Sequence, residues 1–350
     1  MTEWRKVKLG DILDFYNGKA IKSSSGIIPI YGANGIIGRT NRSLYNNAII
    51  IGRVGAYCGS VALCEKDFWA SDNTIVTKPK DDNNTLFFYY LLDTMDLNKY
   101  AGGSAQPLLT QSTLKSLETY IPCANVQQRI AEVLSRYDAL IENYQRQIKL
   151  LEEAAQRLYK EWFVDLRFPG HQSTPIINNL PQSWQKKKIT DILDIKYGKD
   201  HKKLKDGPIP VYGTGGIMRY ADSCLYCGES VLIPRKGSLN NIMLVNGSFW
   251  TIDTMFYSIP KIENAAKIAY FYLKDLDMYS FNIGAAVPSM TINILSGMEI
   301  SLPTDEIRSE FECTVDNYYQ QIALLENQIR NLSEARDRLL PKLMSAEIDV

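Results

Sequence analysis

One stretch limits what this chain can fold into more than any other. From Ile130 to Trp162, apolar side chains recur at Ile130, Leu134, Tyr137, Ile141, Tyr144, Ile148, Leu151, Ala155, Leu158 and Trp162. The steps alternate four and three without a slip, which is the a/d seam of a coiled coil. Adding 181 to each number gives Phe311, Val315, Tyr318, Ile322, Leu325, Ile329, Leu332, Arg336, Leu339 and Leu343, apolar everywhere except at Arg336. A seam present twice in one chain has a partner within that chain: the other copy.

The duplication reaches well beyond the helices. Leu9-Gly-Asp-Ile-Leu-Asp14 with Gly18-Lys19 answers Ile189-Thr-Asp-Ile-Leu-Asp194 with Gly198-Lys199. Ile30-Tyr-Gly-Ala-Asn-Gly35 answers Val211-Tyr-Gly-Thr-Gly-Gly216, and Arg53-Val-Gly55 answers Arg235-Lys-Gly237. Trp69 and Asp72-Asn-Thr74 return as Trp250 and Asp253-Thr254; Gly103, Pro107 and Thr110 return as Gly284, Pro288 and Thr291. Ile121-Pro122 matches Leu302-Pro303, with the offset held between 180 and 182.

Each copy has one grammar. A Trp and a short helix-like stretch (Leu9, Ile12, Leu13) lead into short β-rich runs such as Ala48–Ile51 and Ser230–Ile233, punctuated by glycine turns. An aromatic segment, Phe87–Leu92 or Tyr270–Leu273, reads as a buried helix. A final strand ends at Pro122 or Pro303, and the long helix begins after that proline, which cannot sit inside it. The spacing predicts an α+β fold: a head over residues 1–122, a helix over 123–165, a linker over 166–182, a second head over 183–303 and a second helix over 304–345. At a rise of 1.5 Å per residue the first helix would extend roughly 50 Å. Pro341 stands where the first copy has Lys160, so the second helix is expected to stop or kink near Leu340. A parallel pair would crowd both heads together. The linker has to return only from the far end of the first helix, which favours antiparallel pairing and a pseudo-twofold relation between the copies.

Composition closes off several classes. The 350 residues are 45% hydrophobic and 22% charged, values of a folded chain rather than a disordered one. No apolar run approaches the ~18 residues of a membrane span, and Met1-Thr-Glu-Trp-Arg-Lys6 lacks a signal-peptide core. The cytoplasm is therefore the expected compartment, where Cys58, Cys64, Cys123, Cys224, Cys227 and Cys313 read as small, half-buried free thiols. Cys224 and Cys227 form one C-x-x-C, but a zinc site needs a second pair or histidines at ligand spacing, and only His171 and His201 exist. Lys plus Arg equals Asp plus Glu at 39 each, so a nucleic-acid partner would require basic residues gathered on one face.

Catalytic motifs are missing. The chain has no G-x-x-x-x-G-K-[ST] phosphate loop, no H-E-x-x-H and no G-x-S-x-G elbow. Gly32-Ala-Asn-Gly35 and Gly213-Thr-Gly-Gly216 lack the strand-to-helix setting of a dinucleotide site and read as tight turns. Loop cations carry more information. Lys196-Tyr-Gly-Lys-Asp-His-Lys-Lys-Leu-Lys205 places Lys199, Lys202, Lys203 and Lys205 just before the second Tyr-Gly turn, with Arg219 after it. The first copy is milder, with Lys19 and Lys22 before the turn and Arg39 and Arg42 after it. Arg53 and Arg235-Lys236 occupy matched places after a β-run and before a glycine that lets backbone approach a phosphate. An arginine there either contacts phosphate or reads a guanine edge; the alternatives are a solvated charge or an ion pair with Asp72 or Asp253. Asn34 and Thr214 sit in the turns themselves. Gln106 is placed to reach adenine or phosphate, or serves as a turn residue, and the second copy has Val287 there.

Taken together, the tandem unit and helix, Tyr31-Gly-Ala-Asn-Gly35, the Pro122…Gln127-Gln128…Ile130-Ala131 helix entry and Leu158-Tyr-Lys-Glu-Trp-Phe-Val-Asp-Leu-Arg-Phe168 resemble the DNA-specificity subunit of type I restriction–modification systems. The resemblance spans the chain, with Pro303-Thr-Asp-Glu-Ile-Arg308, Arg336 and Pro341 departing from its pattern. It implies two target recognition domains that bind double-stranded DNA and a helical spacer that docks two modification subunits and the restriction (translocase) subunits. It implies no cofactor in this chain, with S-adenosylmethionine, ATP and magnesium on the partners, and no membrane association. Heads that differ in their loops would read a bipartite, asymmetric target, with helix length setting the unread gap. The exposed flanks carrying Glu142, Arg146, Lys149, Glu152 and Glu153 leave room for partner helices. Two other classes compete: a structural adaptor whose heads bind proteins, and a nucleotide-dependent enzyme, which binding of ATP or S-adenosylmethionine by the isolated chain would reveal.

Overall fold

The repeated seam forms two α-helices, Ala124–Tyr159 and Asp305–Met344. These and the elements below come from a computed structural model that describes residues 4–103, 106–284 and 286–350. The first three residues, Ser104-Ala105 of the glycine-rich loop, and Ala285 lie outside that description. All twenty seam positions are buried or half-buried, while Glu142, Arg146, Lys149 and Glu152 on the flanks are exposed and Glu153 is half-buried. The seam therefore faces protein along its whole length, as the periodicity requires. Among the described residues no helix is long and apolar enough to cross a membrane.

The helix entries show how a proline stop becomes a start. Pro122 closes the last strand, and the Cys123 carbonyl accepts from the amides of Val126 and Gln127 (3.0 and 3.1 Å). Gln127 is almost fully buried. Its amide nitrogen donates to the Pro122 carbonyl (3.1 Å) and to Asn83 Oδ1 (2.9 Å), and its oxygen accepts from the Asn84 amide (3.0 Å). Asn84 in turn caps the aromatic helix Thr85–Thr94 through Phe87 N (2.8 Å). One glutamine thus ties the long helix to the head. At the equivalent position Arg308 does the same work: it donates to the Pro303 carbonyl (2.8 Å) and to the Glu263 carbonyl (3.2 Å). The second entry departs in sequence from the first and keeps its geometry.

The chain divides into two compact units, Met1–Arg146 with Leu325–Val350, and Gln147–Leu324. In the first, Leu13–Asn17, Thr74–Pro79, Ala48–Gly52 and Val61–Cys64 form an antiparallel four-stranded sheet. The hairpin Ile28–Gly32/Gly35–Thr40 pairs in parallel with Trp69–Ala70. The second unit repeats the four-stranded sheet with Leu193–Tyr197, Met255–Pro260, Ser230–Pro234 and Met243–Val245, and the hairpin with Ile209–Gly213 and Gly216–Ala221. The bulge recurs too, between Ile30 and Tyr31 and between Val211 and Tyr212.

Each unit joins the start of one long helix to the end of the other. In the first, Ile130, Ala131 and Leu134 share a core with Leu340, Leu343 and Met344. In the second, Ala155, Tyr159, Trp162 and Phe163 share a core with Phe311 and Val315. Start against end in both units is the antiparallel order. Of the stop or kink expected near Leu340, the stop does not occur: the helix continues through Pro341 to Met344. A proline three residues from the terminus disturbs only one turn, its carbonyl still accepts from Ser345 N (3.0 Å), and burial of Leu343 and Met344 holds that turn down. The expected linker is also more ordered than its composition implies. Ile176–Ile177 pairs with Leu180–Pro181, and Phe168 packs on Trp184 at 4.8 Å; before the linker, the end of the expected first helix, Lys160–Val164, winds as a π-turn. Of the cysteines, Cys58 and Cys64 are buried and the other four are exposed rather than half-buried.

The second head is fastened to its helix by one buried cation. Lys267, on the aromatic helix Ala266–Asp275, is 4% exposed. It meets Glu229 (2.5 Å), Asp316 (2.8 Å) and Glu312. Burial would lower its pKa, but the Glu229 charge and the hydrogen bonds to Asp316, Glu229 and Glu312 outweigh that and raise it above the ordinary lysine value. Burial raises the Glu312 carboxyl despite Lys267. Lys267→Met should cost about 3 kcal/mol at neutral pH, the penalty of leaving the half-buried Glu229 and Glu312 carboxylates without their cation. With Lys267 gone, the Glu312 carboxyl, already raised by burial, would hold its proton more tightly folded than unfolded, so stability should rise on acidification and the deficit shrink from about pH 8 to about pH 5. Urea unfolding at the two pH values checks this; a deficit that grows on acidification would refute it.

Candidate nucleic-acid interface

Both heads build a loop face from the same three pieces. The first is the exit of the opening strand. Gly18 approaches the backbone so closely that a Cβ there would lie 1.8 Å from the Ser71 carbonyl oxygen; at Gly198 it would lie 2.0 Å from that of Ile252. Trp69 Nε1 donates to the Lys19 carbonyl (2.6 Å) and Trp250 Nε1 to the Lys199 carbonyl (2.9 Å). The repeated Gly-Lys and the distant Trp are thus one device, which fixes where an exposed lysine leaves the sheet. In the first head, Arg42 lies over the Trp69 ring at 5.6 Å and adds a second cation.

The second piece carries the matched arginines. Arg53 N donates to the Asn73 carbonyl and Leu109 N to the Arg53 carbonyl, both at 2.9 Å. Gly55, at φ +77°, donates to the Pro107 carbonyl (3.2 Å), and a Cβ on it would lie 3.7 Å from Gln106 Nε2. Arg53 and Gln106 are thereby held on neighbouring loops. In the second head, Arg235 N donates to the Thr254 carbonyl (2.8 Å), Met290 N to the Arg235 carbonyl (2.8 Å), and Gly237, at φ +85°, to the Pro288 carbonyl (3.0 Å). Positive φ at both positions favours glycine over any other residue.

The third piece is the hairpin turn. Ser60 Oγ donates to the Ala33 carbonyl (2.7 Å), which sets exposed Asn34 beside the loop carrying exposed Tyr57. Asn241 Nδ2 donates to the Thr214 carbonyl (2.7 Å), and a Cβ on Gly237 would lie 3.6 Å from Thr214 Oγ1. Beneath the first hairpin, burial and a hydrogen bond with Cys64 push the Tyr31 phenol up to about 12, so it stays protonated.

Asn34, Arg53 and Gln106 therefore share one face, as do Thr214, Arg235 and Lys236. Lys22, Lys202, Lys203 and Lys205 lie exposed on the loops leading to the hairpins and make no ion pair among the described residues. Two cations turn away: Arg39 donates to the Ile27 carbonyl (2.8 Å), and Arg219 pairs with Asp206 (2.8 Å) and the Leu204 carbonyl (3.1 Å). Neither Arg53 nor Arg235 forms an ion pair with Asp72 or Asp253. Arg235 Nη1 instead donates to the Asp253 carbonyl (3.0 Å) and the guanidinium lies over Tyr197 at 5.3 Å. Arg53 has a buried Nε without a partner among the described residues. The two heads thus hold equivalent arginines differently: one is anchored, and the other makes no side-chain hydrogen bond among the described residues.

Sequence reasoning missed the exposed tyrosines of these faces: Tyr57, Tyr197, and Tyr279, whose hydroxyl donates to the Gly237 carbonyl (3.3 Å). Tyr197 stands inside the lysine-rich stretch, where an aromatic among cations was a signal to follow. No group of three or more His, Cys, Asp or Glu side chains placed to hold a metal occurs among the described residues. The faces offer hydrogen-bond forks, cations and aromatic planes, which suits recognition. If the glycine approach sets the lysine exits, Gly18→Ala and Gly198→Ala should each destabilise by about 3 kcal/mol or more, well beyond ordinary Gly→Ala effects. Thermal unfolding of each variant measures this, and a shift under about 0.5 kcal/mol would contradict it.

A family model described as the type I restriction modification DNA specificity domain matches residues 1–153 and again residues 181–334. The chain is 28% identical over 329 residues to the type I restriction enzyme MjaIX specificity subunit of Methanocaldococcus jannaschii, covering 83% of this chain and 76% of that one. It is 24% identical over 399 residues to the MjaVIII specificity subunit of the same organism, covering 99% and 93%. The crystal structure of a type I restriction–modification S subunit from M. genitalium has the same fold, with a TM-score of 0.66 at 20% identity and coverage of 98% and 96%. With two copies of the family's domain filling most of its length, this chain belongs to the type I restriction–modification DNA-specificity family, as a specificity subunit and not a catalytic one.

Proposed function

We propose that the two loop faces read the two halves of a bipartite, asymmetric DNA target, and that the paired helices set the unread gap between them. The observation that carries this is the duplicated face. Each head holds an arginine, a glycine with positive φ and a hairpin turn in one arrangement, while the side chains that would touch base edges differ. Asn34 and Gln106 occupy the first face; Thr214 and Lys236 occupy the second, with Gly215 and Val287 at the places of Asn34 and Gln106. Identical scaffolds with unlike tips suit two different half-sites.

In this reading Arg53, whose guanidinium makes no hydrogen bond among the described residues, contacts a base edge bidentately, and Gln106 contacts an adenine or a phosphate beside it. Arg235, anchored to the Asp253 carbonyl and Tyr197, positions the backbone. Lys19, Lys22, Lys199, Lys202, Lys203 and Lys205 contact phosphates and supply salt-dependent affinity. Arg39 and Arg219 shape their hairpins and reach DNA only if those bonds open. The helices dock two modification subunits, which bring S-adenosylmethionine and methylate adenine, and the restriction subunits, which bring ATP and magnesium. The complex works in the cytoplasm.

The test uses the chain assembled with its modification partner and competition binding to duplexes. Arg53→Ala should cost about 1–3 kcal/mol on the cognate duplex and relax specificity at one position of one half-site. Lys22→Ala should weaken all duplexes alike and reduce the salt slope by about 1. Loss of both half-site preferences in Arg53→Ala would refute modular reading. Absence of any salt-sensitive duplex binding by the assembled wild type would replace DNA recognition with the adaptor role.

A further inference from the structure

The seam repeats closely enough that each half of the chain has two possible partners: the other half, or the same half of a second copy. The contacts inside the two units are not equivalent, and they discriminate. In the first unit Arg336, the one charged seam residue, donates to Asp138 Oδ1 (2.6 Å), and Asp138 also accepts from the Tyr90 hydroxyl. At an offset of 181 the same three positions in the second unit are Ala155, Tyr319 and Phe271. There the cluster is aromatic. Tyr159 stacks on Phe271 (5.7 Å), and Phe311 meets Phe163 (4.8 Å) and Trp162 (5.9 Å). The first unit instead fills the equivalents of Tyr159, Trp162 and Phe163 with the smaller Leu340, Leu343 and Met344, all buried.

We infer that these two mismatched junctions, one polar and aliphatic and one aromatic, are a self-recognition code that makes the halves pair with each other and reject copies of themselves. Two first halves together would place three large rings in sites shaped for Leu and Met, and would leave Asp138 facing Ala155 without a cation. Two second halves would leave voids around Phe271 and Phe311 and set Arg336 against Tyr319. The carboxylates of that end, Glu229, Glu312 and Asp316, are already engaged by Lys267. Charge and volume conflict in both like pairs and agree only in the unlike one. A polar residue at one seam position is a known means of choosing a partner. The consequence rests on the proposed DNA reading: the complex always presents one head of each kind, so its target is asymmetric by construction.

The test needs no DNA, so its failure is distinct from failure of the DNA reading. A protease site is placed in the exposed Asn178–Asn179 turn of the full chain. The folded protein is cut there, separated in urea and allowed to reassociate, and native mass spectrometry counts the products. Unlike pairs should make up essentially all assemblies. In the same protocol, Arg336→Leu should raise the share of second-half pairs about tenfold, since a part-buried charge-assisted bond no longer opposes them. A statistical mixture of like and unlike pairs from the wild type would overturn the proposal. So would failure of the segments to rejoin, because the two junctions are claimed to suffice, or an Arg336→Leu variant that remains as selective as the wild type.

Discussion

Burial of the two seams against each other is the interaction everything else depends on. A helix of 36 or 40 residues with charged flanks has nowhere to place its apolar stripe except on another such stripe. Once the stripes meet start against end, each globular head receives two helices. Its own arrives through a proline-stopped entry and the other copy's through its far terminus. The head cores are completed this way: Leu343 and Met344 close the first, and Trp162 and Phe163 close the second. Neither cluster is supplied by the residues of one copy alone.

The polar contacts around this frame mostly position groups. Gln127 and Arg308 are different residues with one role, binding a proline carbonyl and a head loop so that helix and head keep a fixed angle. Lys267 is expensive to bury and is matched by three carboxylates. Exposed pairs such as Arg338 with Glu334 (3.4 Å) contribute little by comparison. On the reading faces the same economy holds. Backbone hydrogen bonds and close glycine approaches set the loops, and the side chains that differ between heads are left at the tips.

Much of this was legible in the amino-acid order because it is periodic or repeated. The four-three alternation from Ile130 to Trp162 named both helices, and the echo of Gly18-Lys19 and Trp69 in Gly198-Lys199 and Trp250 marked a device the structure explains. What escaped depends on distance. Arg336 looked like a flaw in the seam because its partner, Asp138, lies 198 residues away. Arg39 and Arg219 looked like free cations because nothing in their neighbourhood shows that they fold back on Ile27, Leu204 and Asp206. Pro341 reads as a stop or a kink because propensity gives no weight to the burial of Leu343 and Met344 beyond it, which carries the helix past the proline. Tyr57, Tyr197 and Tyr279 were overlooked because exposure is a tertiary property.

Opposed pairing of the two stalks can be measured directly by cross-linking. With Cys123, Cys224, Cys227 and Cys313 replaced by serine, cysteines are introduced at Asp138 and Arg336 in one protein, and at Asp138 and the equivalent Tyr319 in another. Each is treated with a short bismaleimide and mapped by peptide mass. Opposed helices predict an intramolecular link between positions 138 and 336 and none between 138 and 319; a link between 138 and 319, with none between 138 and 336, would contradict the account.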